Sequence, residues 1–418
     1  MACAASPAPG LAGPGRPRLT VGDIFRAHGE AYRKSHALSA PQRKAMRAIE
    51  TCRTPVLGGR VDVCEQCGET QVVYRSCRNR HCPTCQSLQQ ARWIEGRIRR
   101  LLPTDYFHVV FTVPDDLLNG IILRNRQLFF GLLFAAGSQT LLELGADSNR
   151  LGAQLGITIV LHTWTRALRF HAHLHCIVTG GGLQADGERW RSTPQDYLFP
   201  VKVLSKLFRG KLLASLDAAY QAGKLSLDGA CKPLRDPKAF ARLRDQLYKT
   251  AWVAYAKEPF AGPEQVFRYL GRYTHRVGIS NQRLLGLTSE GVLFRTKGDA
   301  TACLPPDQFI GRFLQHVLPR GFVKIRHYGL HAPANATTRL ETARRVIEAE
   351  RPELSGATTD TAAPTHAAER PEPPHLEDWR ALLRRLTGID PTRCKRCGGS
   401  LRSTPLSVPP CKPPDDTS

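Results

Sequence analysis

Three groups of residues in this chain have types and spacings that could do chemistry. The first is thiol-rich. Cys52, Cys64, Cys67, Cys77, His81, Cys82 and Cys85 stand within one short segment. Cys64-x2-Cys67 and Cys82-x2-Cys85 can each wrap two thiolates around an ion at tetrahedral angles, and the 14-residue gap between them lets the second pair close the site. Soft thiolates select zinc over magnesium or calcium. The expectation is one structural zinc held by Cys64, Cys67, Cys82 and Cys85. Cys52, Cys77 and His81 are spare ligands for a second ion, or else ordinary core and surface residues.

The second group is His171-Ala172-His173-Leu174-His175-Cys176-Ile177-Val178. On a strand the period is two, so the histidines share one face and Ala172, Leu174, Cys176 and Val178 share the core face. Two parallel imidazoles can bind one divalent ion. His162 stands on the preceding strand, and the Trp164–Arg169 connection would fold that strand back antiparallel, so His162 is favoured over His171 as third ligand. A three-imidazole site with open positions can act as a Lewis acid. Spacing alone is equally consistent with a hydrogen-bonded histidine face. The third group is Tyr269 and Tyr273, at i and i+4 on a helix face. Their pattern fits core packing. Arg268, Arg272 and Arg276 surround them, however, and a tyrosine hydroxyl beside charge or a metal is a competent nucleophile.

These groups require positioning elements. Thr20 and Ser39 read as N-caps of two helices, with Pro41 and Gln42 in the second one's first turn. A basic helix is predicted from about Gln86 to Leu102, ended by Pro103. Tyr106–Val113, Ile157–Thr163 and Arg169–Val178 read as strands, the last ended by Thr179-Gly180-Gly181-Gly182. Leu117–Leu144 reads as helix, and another opens at Pro263. Residues 355–375 lack apolar periodicity and read as linker. The domains expected are a flexible lead with helices (1–45), a zinc-binding, DNA-binding domain (46–100), a catalytic domain (101–335), a linker (336–375) and a tail (376–418).

The 418 residues carry 59 Lys+Arg against 36 Asp+Glu, a formal charge of +23. That surplus calls for a polyanionic partner, nucleic acid first and an anionic membrane second. Arg outnumbers Lys 45 to 14, which favours bidentate phosphate contacts, although genomic base composition alone could favour Arg. Residues 336–418 contribute only +1, so the charge accompanies the motifs. With 42% hydrophobic residues the chain can bury a core. The start, Ala2–Pro17, has no signal-peptide pattern, and the longest apolar run, Leu128–Ala136, is shorter than a membrane span. The expected setting is the bacterial cytoplasm, at the nucleoid, with reduced cysteines.

Taken in order, Ser76-Cys77-Arg78-Asn79-Arg80-His81-Cys82-Pro83, Leu161-His162-Thr163-Trp164, His173-Leu174-His175-Cys176, Tyr269-Leu270-Gly271-Arg272-Tyr273-Thr274-His275-Arg276 and Ile325-Arg326-His327-Tyr328-Gly329 resemble the HUH-type transposases of rolling-circle insertion sequences, the IS-ninety-one kind. The resemblance spans roughly residues 46–331 and implies an α+β fold: an HUH-endonuclease-like antiparallel sheet with packed helices, preceded by a small zinc-binding domain. It implies Mg2+ or Mn2+ at His173 and His175, and Tyr269 or Tyr273 attacking single-stranded DNA at element ends and target to form a 5′-phosphotyrosine. Arg78, Arg80, Arg268, Arg272, Arg276 and Arg326 are the DNA-binding candidates, and a homo-oligomer is the other partnership to test. The C-terminal Cys394-x2-Cys397 departs from a complete zinc motif: it is incomplete, borrows a ligand or is vestigial, and the vestigial reading is favoured because two thiolates cannot satisfy a tetrahedral ion. Two competing readings are a zinc-dependent DNA-binding regulator without catalysis and a plasmid replication initiator or relaxase.

Overall fold

A computed structural model describes residues 19–85, 87–194, 197–257, 271, 278–350 and 378–406. Two capped helices open it. In α1 (Val21–Ser35) the Thr20 hydroxyl accepts from the Asp23 N–H at 3.2 Å, and the Asp23 carboxylate accepts from the Thr20 N–H at 2.8 Å. α2 (Ala40–Thr51) starts the same way, from Ser39 and Gln42. The hairpin β1 (Gly59–Cys64) and β2 (Thr70–Tyr74) leads to α3 (Ser87–Ile98) and β3 (Tyr106–Thr112). Then come α4 (Asp115–Arg124), α5 (Arg126–Ala146), β4 (Gln154–Trp164), β5 (Phe170–Leu183), β6 (Trp190–Ser192), α6 (Val201–Gln221), α7 (Pro237–Lys249) and β7 (Ala254–Lys257). After the tyrosine segment follow β8 (Leu284–Leu287), β9 (Val292–Arg295), β10 (Thr301–Leu304), α8 (Pro306–Gln315), β11 (Ile325–Gly329), α9 (Arg339–Glu350), α10 (Trp379–Thr387) and β12 (Leu401–Leu406).

The central sheet runs β11-β4-β5-β3-β7, with β6 paired to the end of β5, and every pairing is antiparallel. This agrees with the expected α+β class. Strand alternation divides it into two chemically different faces. Leu155, Ile157, Ile159 and Leu161 of β4 and Ala172, Leu174, Cys176 and Val178 of β5 are buried in the main core with Phe129, Phe130, Phe134 and Phe208 of α5 and α6. Thr158, Val160 and His162, with His171, His173 and His175, take the other face. There Val160, Ile177 and Tyr106 form a small apolar floor under Trp93, Ile94 and Ile98 of α3. α5 is long and apolar enough to cross a membrane by length and composition, but most of it is buried in this core.

Several expectations are corrected. The three glycines do not end the third strand; they continue it. Gly181 pairs with Ser192 and Gly182 with Arg191, and a Cβ on Gly182 would lie 2.8 Å from the Gln154 carbonyl. Glycine is needed there because neighbouring backbone comes too close for a side chain. The long helix over 117–144 is two helices, broken at Asn125. Its side chain accepts from the Ser226 N–H at 2.7 Å and donates to the Ile121 and Ser226 carbonyls. The expected linker from residue 336 instead begins with α9, whose Leu340, Ala343 and Ile347 pack on Leu183, Trp190 and Leu330. α1 and α2 form as the caps at Thr20 and Ser39 predict, and they pack into the body of the protein. Phe25 packs edge-on against Phe313 of α8, and both helices share a core with β8–β10. The helix predicted from Pro263 lies outside the described residues, apart from the helical Gly271.

Candidate active site and metal centres

β4 and β5 place the histidines by register. His162 stands directly opposite His173, and Val160 opposite His175, so His162, His173 and His175 come from adjacent strands onto one face. A ligand nitrogen of each lies within 4.8 Å of the others. The ring centroids are 4.2 Å apart for His162–His175, 4.9 Å for His173–His175 and 5.4 Å for His162–His173. The His173 Nδ1 donates to the His171 carbonyl at 2.9 Å, since that oxygen can only accept. Its Nε2 lone pair is therefore left for an ion, the usual arrangement of a ligating histidine. The His175 Nδ1 is engaged by His108 Nε2 at 2.8 Å. His171 does not join the group; its Nδ1 faces Asp115 Oδ2 at 3.3 Å.

Burial sets the protonation state of the three rings. Burial pushes the His173 imidazole down to about 4. Burial, and then the neighbouring imidazoles, hold His162 and His175 well below the ordinary histidine value. Near neutral pH all three are therefore uncharged, which is the ligand form. Three donors leave coordination positions open, as a reactive centre needs. One residue that the sequence reading did not single out supports it: His108, whose place in Tyr106–Thr112, on the parity of Tyr106, was the available signal. Nearby, the Lys324 ammonium is pushed down to about 7 by burial and then by the Arg80 charge.

The cysteines divide differently from expectation. Cys64 and Cys67 do not meet Cys82 and Cys85. Instead Cys52, Cys77, Cys82 and Cys85 form one group and Cys64, Cys67, Cys394 and Cys397 another, with the thiols of each group within 4.8 Å of one another. In the first, Cys77 and Cys85 Sγ are 3.7 Å apart, and Cys52 and Cys82 are buried with the α1–α2 core. His81 is not a ligand among the described residues. Its Nε2 accepts from the Leu318 N–H at 3.1 Å and its Nδ1 faces Asn79 Oδ1 at 3.1 Å, so both ring nitrogens serve the fold. The tail motif expected to be incomplete finds its missing half in Cys64 and Cys67.

Of the basic candidates, Arg78 and Arg80 are exposed and line one cleft of about 860 Å3 with Lys44 and Arg320, although Arg80 also donates to the Phe322 carbonyl at 2.6 Å. On the other side of Arg78, a cleft of about 940 Å3 is lined by Arg60, Arg75, Arg92 and Trp379. Arg326 is a correction. It pairs with Ile159, so strand alternation turns it to the core side, where its guanidinium lies 4.3 Å from the Phe134 ring centroid. Its neighbour His327 takes the histidine face and meets Thr158 Oγ1 at 3.0 Å. Tyr269, Tyr273, Arg268, Arg272 and Arg276 lie outside the described residues. Gly271, between the tyrosines in sequence, is buried against Ile94 of α3, with no room for a Cβ unless Ile94 moves.

The family profile described as "Transposase zinc-binding domain" matches residues 24–113, and the one described as "Putative transposase" matches residues 156–339. The chain is 44% identical over 384 residues to the "Putative transposase y4qJ" of Sinorhizobium fredii, covering 90% of this chain and 92% of the relative. It is 26% identical over 371 residues to the "Transposase for insertion sequence element IS801" of Pseudomonas savastanoi pv. phaseolicola, covering 84% and 80%. No solved structure matches. The protein belongs to the IS91-type transposases, in which a cysteine-rich zinc-binding domain precedes the transposase domain.

Proposed function

We propose that the protein nicks and rejoins single-stranded DNA at the ends of a rolling-circle insertion sequence, at the nucleoid, through a 5′-phosphotyrosine. The observation that carries this reading is the convergence of three uncharged imidazoles on one sheet face, on which α3 also packs and presents Ile94 to Gly271. Tyr269 and Tyr273 are each two residues from Gly271 in the sequence.

His162, His173 and His175 would hold the divalent ion, which when bound supplies Lewis-acid polarisation of the scissile phosphate. An all-imidazole set suits Mn2+ better than Mg2+, which prefers oxygen ligands. His108 and the His171 carbonyl keep two of the rings oriented through their Nδ1 atoms. One tyrosine hydroxyl gives up its proton and forms an O–P bond, and the bond from phosphorus to the 3′-oxygen breaks. That oxygen takes up a proton and leaves as a 3′-hydroxyl. Because one phosphoester replaces another, no energy-rich cofactor is consumed. The second tyrosine can repeat the exchange on another end, and the Arg-lined clefts beside Arg78 suit the strand's phosphates.

The test uses single-stranded oligonucleotides tiling the DNA on either side of the coding sequence, incubated with protein and Mn2+ and run on denaturing gels. The wild type is expected to give a covalent adduct and Tyr269→Phe with Tyr273→Phe none. An adduct in that double variant would refute the nucleophile assignment, and none in the wild type would refute the enzyme reading.

A further inference from the structure

We propose that the two ends of the chain build a second zinc site, Cys64-Cys67-Cys394-Cys397, which clasps the C-terminal arm onto the amino-terminal domain. The zinc-binding profile ends at residue 113 and so contains only half of this ligand set. The other half arrives from 327 or more residues away: Cys64 Sγ lies 3.5 Å from Cys397 Sγ, and Cys67 Sγ 3.7 Å from Cys394 Sγ.

The two halves are built alike. In each, the residue after the second cysteine is a glycine with positive φ, 71° at Gly68 and 77° at Gly398. In each, that glycine N–H donates to the first cysteine's carbonyl at 3.0 Å. The N–H of Cys64 donates to the Glu69 carbonyl at 2.9 Å, and that of Cys394 to the Gly399 carbonyl at 2.8 Å. Backbone N–H groups also point at sulfur, Arg396 to Cys394 and Gly399 to Cys397, both at 3.4 Å. Such donors stabilise thiolate charge, and four thiols at mutual distances of 4.8 Å or less leave room for a tetrahedral ion. Two knuckles that each hold half a tetrahedron are complete only together.

The surroundings are constructed for the same union. β12 pairs antiparallel with β1 along its whole length, from Gly59↔Leu406 to Cys64↔Leu401. The Ser403 hydroxyl donates to the buried Asp62 carboxylate at 2.5 Å, and Arg396 pairs with Glu69 at 3.3 Å. The arm then does something at a distance: α10 lies on α3, where Arg385 pairs with Glu95, and it brings Trp379 into the Arg-lined cleft. α3 is the helix that covers the histidine face. The clasp thus secures the brace on that helix. It depends on the thiols and not on the proposed chemistry, so it can stand or fall independently of that chemistry.

The experiment is native mass spectrometry of the full chain, purified without chelator. Two zinc ions are expected in the wild type and one in Cys394→Ser with Cys397→Ser. Two are expected again in Cys397→His, which restores a four-ligand set. Amide exchange over Leu401–Leu406 should accelerate by about tenfold or more in the double variant, because the strand loses its anchor. One zinc in the wild type would overturn the proposal. So would two zincs retained in the double variant, or a second site found as a disulfide by its mass.

Discussion

The histidine and cysteine centres of this protein are assembled in opposite ways. The histidines come from two adjacent strands of one sheet and are related by a single register, His162 opposite His173. The cysteine groups gather ligands from separate elements, and in one of them from both ends of the chain. The histidine group has three donors and is held by hydrogen bonds from behind; each thiol group has four and can close. An open site can exchange ligands with a substrate, whereas a closed one can only hold structure. On the proposed reading the two kinds of group do different work, and ligand number, three against four, separates them where spacing does not.

That contrast can be broken experimentally. The largest effect is expected at the open site: His173→Ala with His175→Ala should lower covalent adduct formation by about 10³-fold or more, the several kcal/mol of a lost Lewis acid. Salt-sensitive DNA binding should persist, measured by fluorescence anisotropy. Equal loss of both would make the histidines structural. Conversely, Cys82→Ser should mainly destabilise, by about 3 kcal/mol or more, because a buried closed site loses a ligand. Thermal unfolding should show it as a midpoint lowered by about 3 °C or more; an unchanged midpoint would remove the contrast. His108→Ala should weaken Mn2+ binding by about 10–100-fold without abolishing it, as read by calorimetry.

A separate effect, on stability alone, follows from pH. His81, His316 and His327 are held down to about 3, each chiefly by burial. In the unfolded chain they protonate near 6.5. Between those values the unfolded state binds more protons, so stability rises with pH across the window and is lost as pH falls from about 6.5 toward about 3. Urea midpoints measured from pH 7 to pH 4 should fall steadily; a flat profile would mean that these rings are not buried neutral. The smallest effect is expected at Trp379→Ala, which should weaken single-stranded DNA binding by about 1 kcal/mol, the low end for an aromatic that stacks on a base. No change would leave the cleft to its arginines alone.

Much of the histidine site was legible in the sequence because strand alternation and a short hairpin connection are local rules. From them the shared face, the antiparallel return and the choice of His162 over His171 all follow. Arg326 shows the same rule overlooked: its parity with Ile159 puts it on the core side, as His327's parity puts that residue with the histidines. His108 was harder, because a lone histidine in an apolar strand gives no sign of which side chain it will meet. His81 looked like a ligand beside four cysteines, yet a backbone N–H from Leu318 claims it.

The sequence by itself determined the ligand types, the period that sorts them onto faces, the helix caps at Thr20 and Ser39, and the family to which the chain belongs. Only the tertiary structure decided which thiols share an ion. Cys64-x2-Cys67 can close with any second pair of the right shape, and spacing favours the nearest one. What places Cys394 and Cys397 there instead is the β1–β12 ladder, a pairing between the ends of the chain that no local pattern encodes. A tetrahedral ion specifies four donors and their angles but is indifferent to how far apart in the chain they originate.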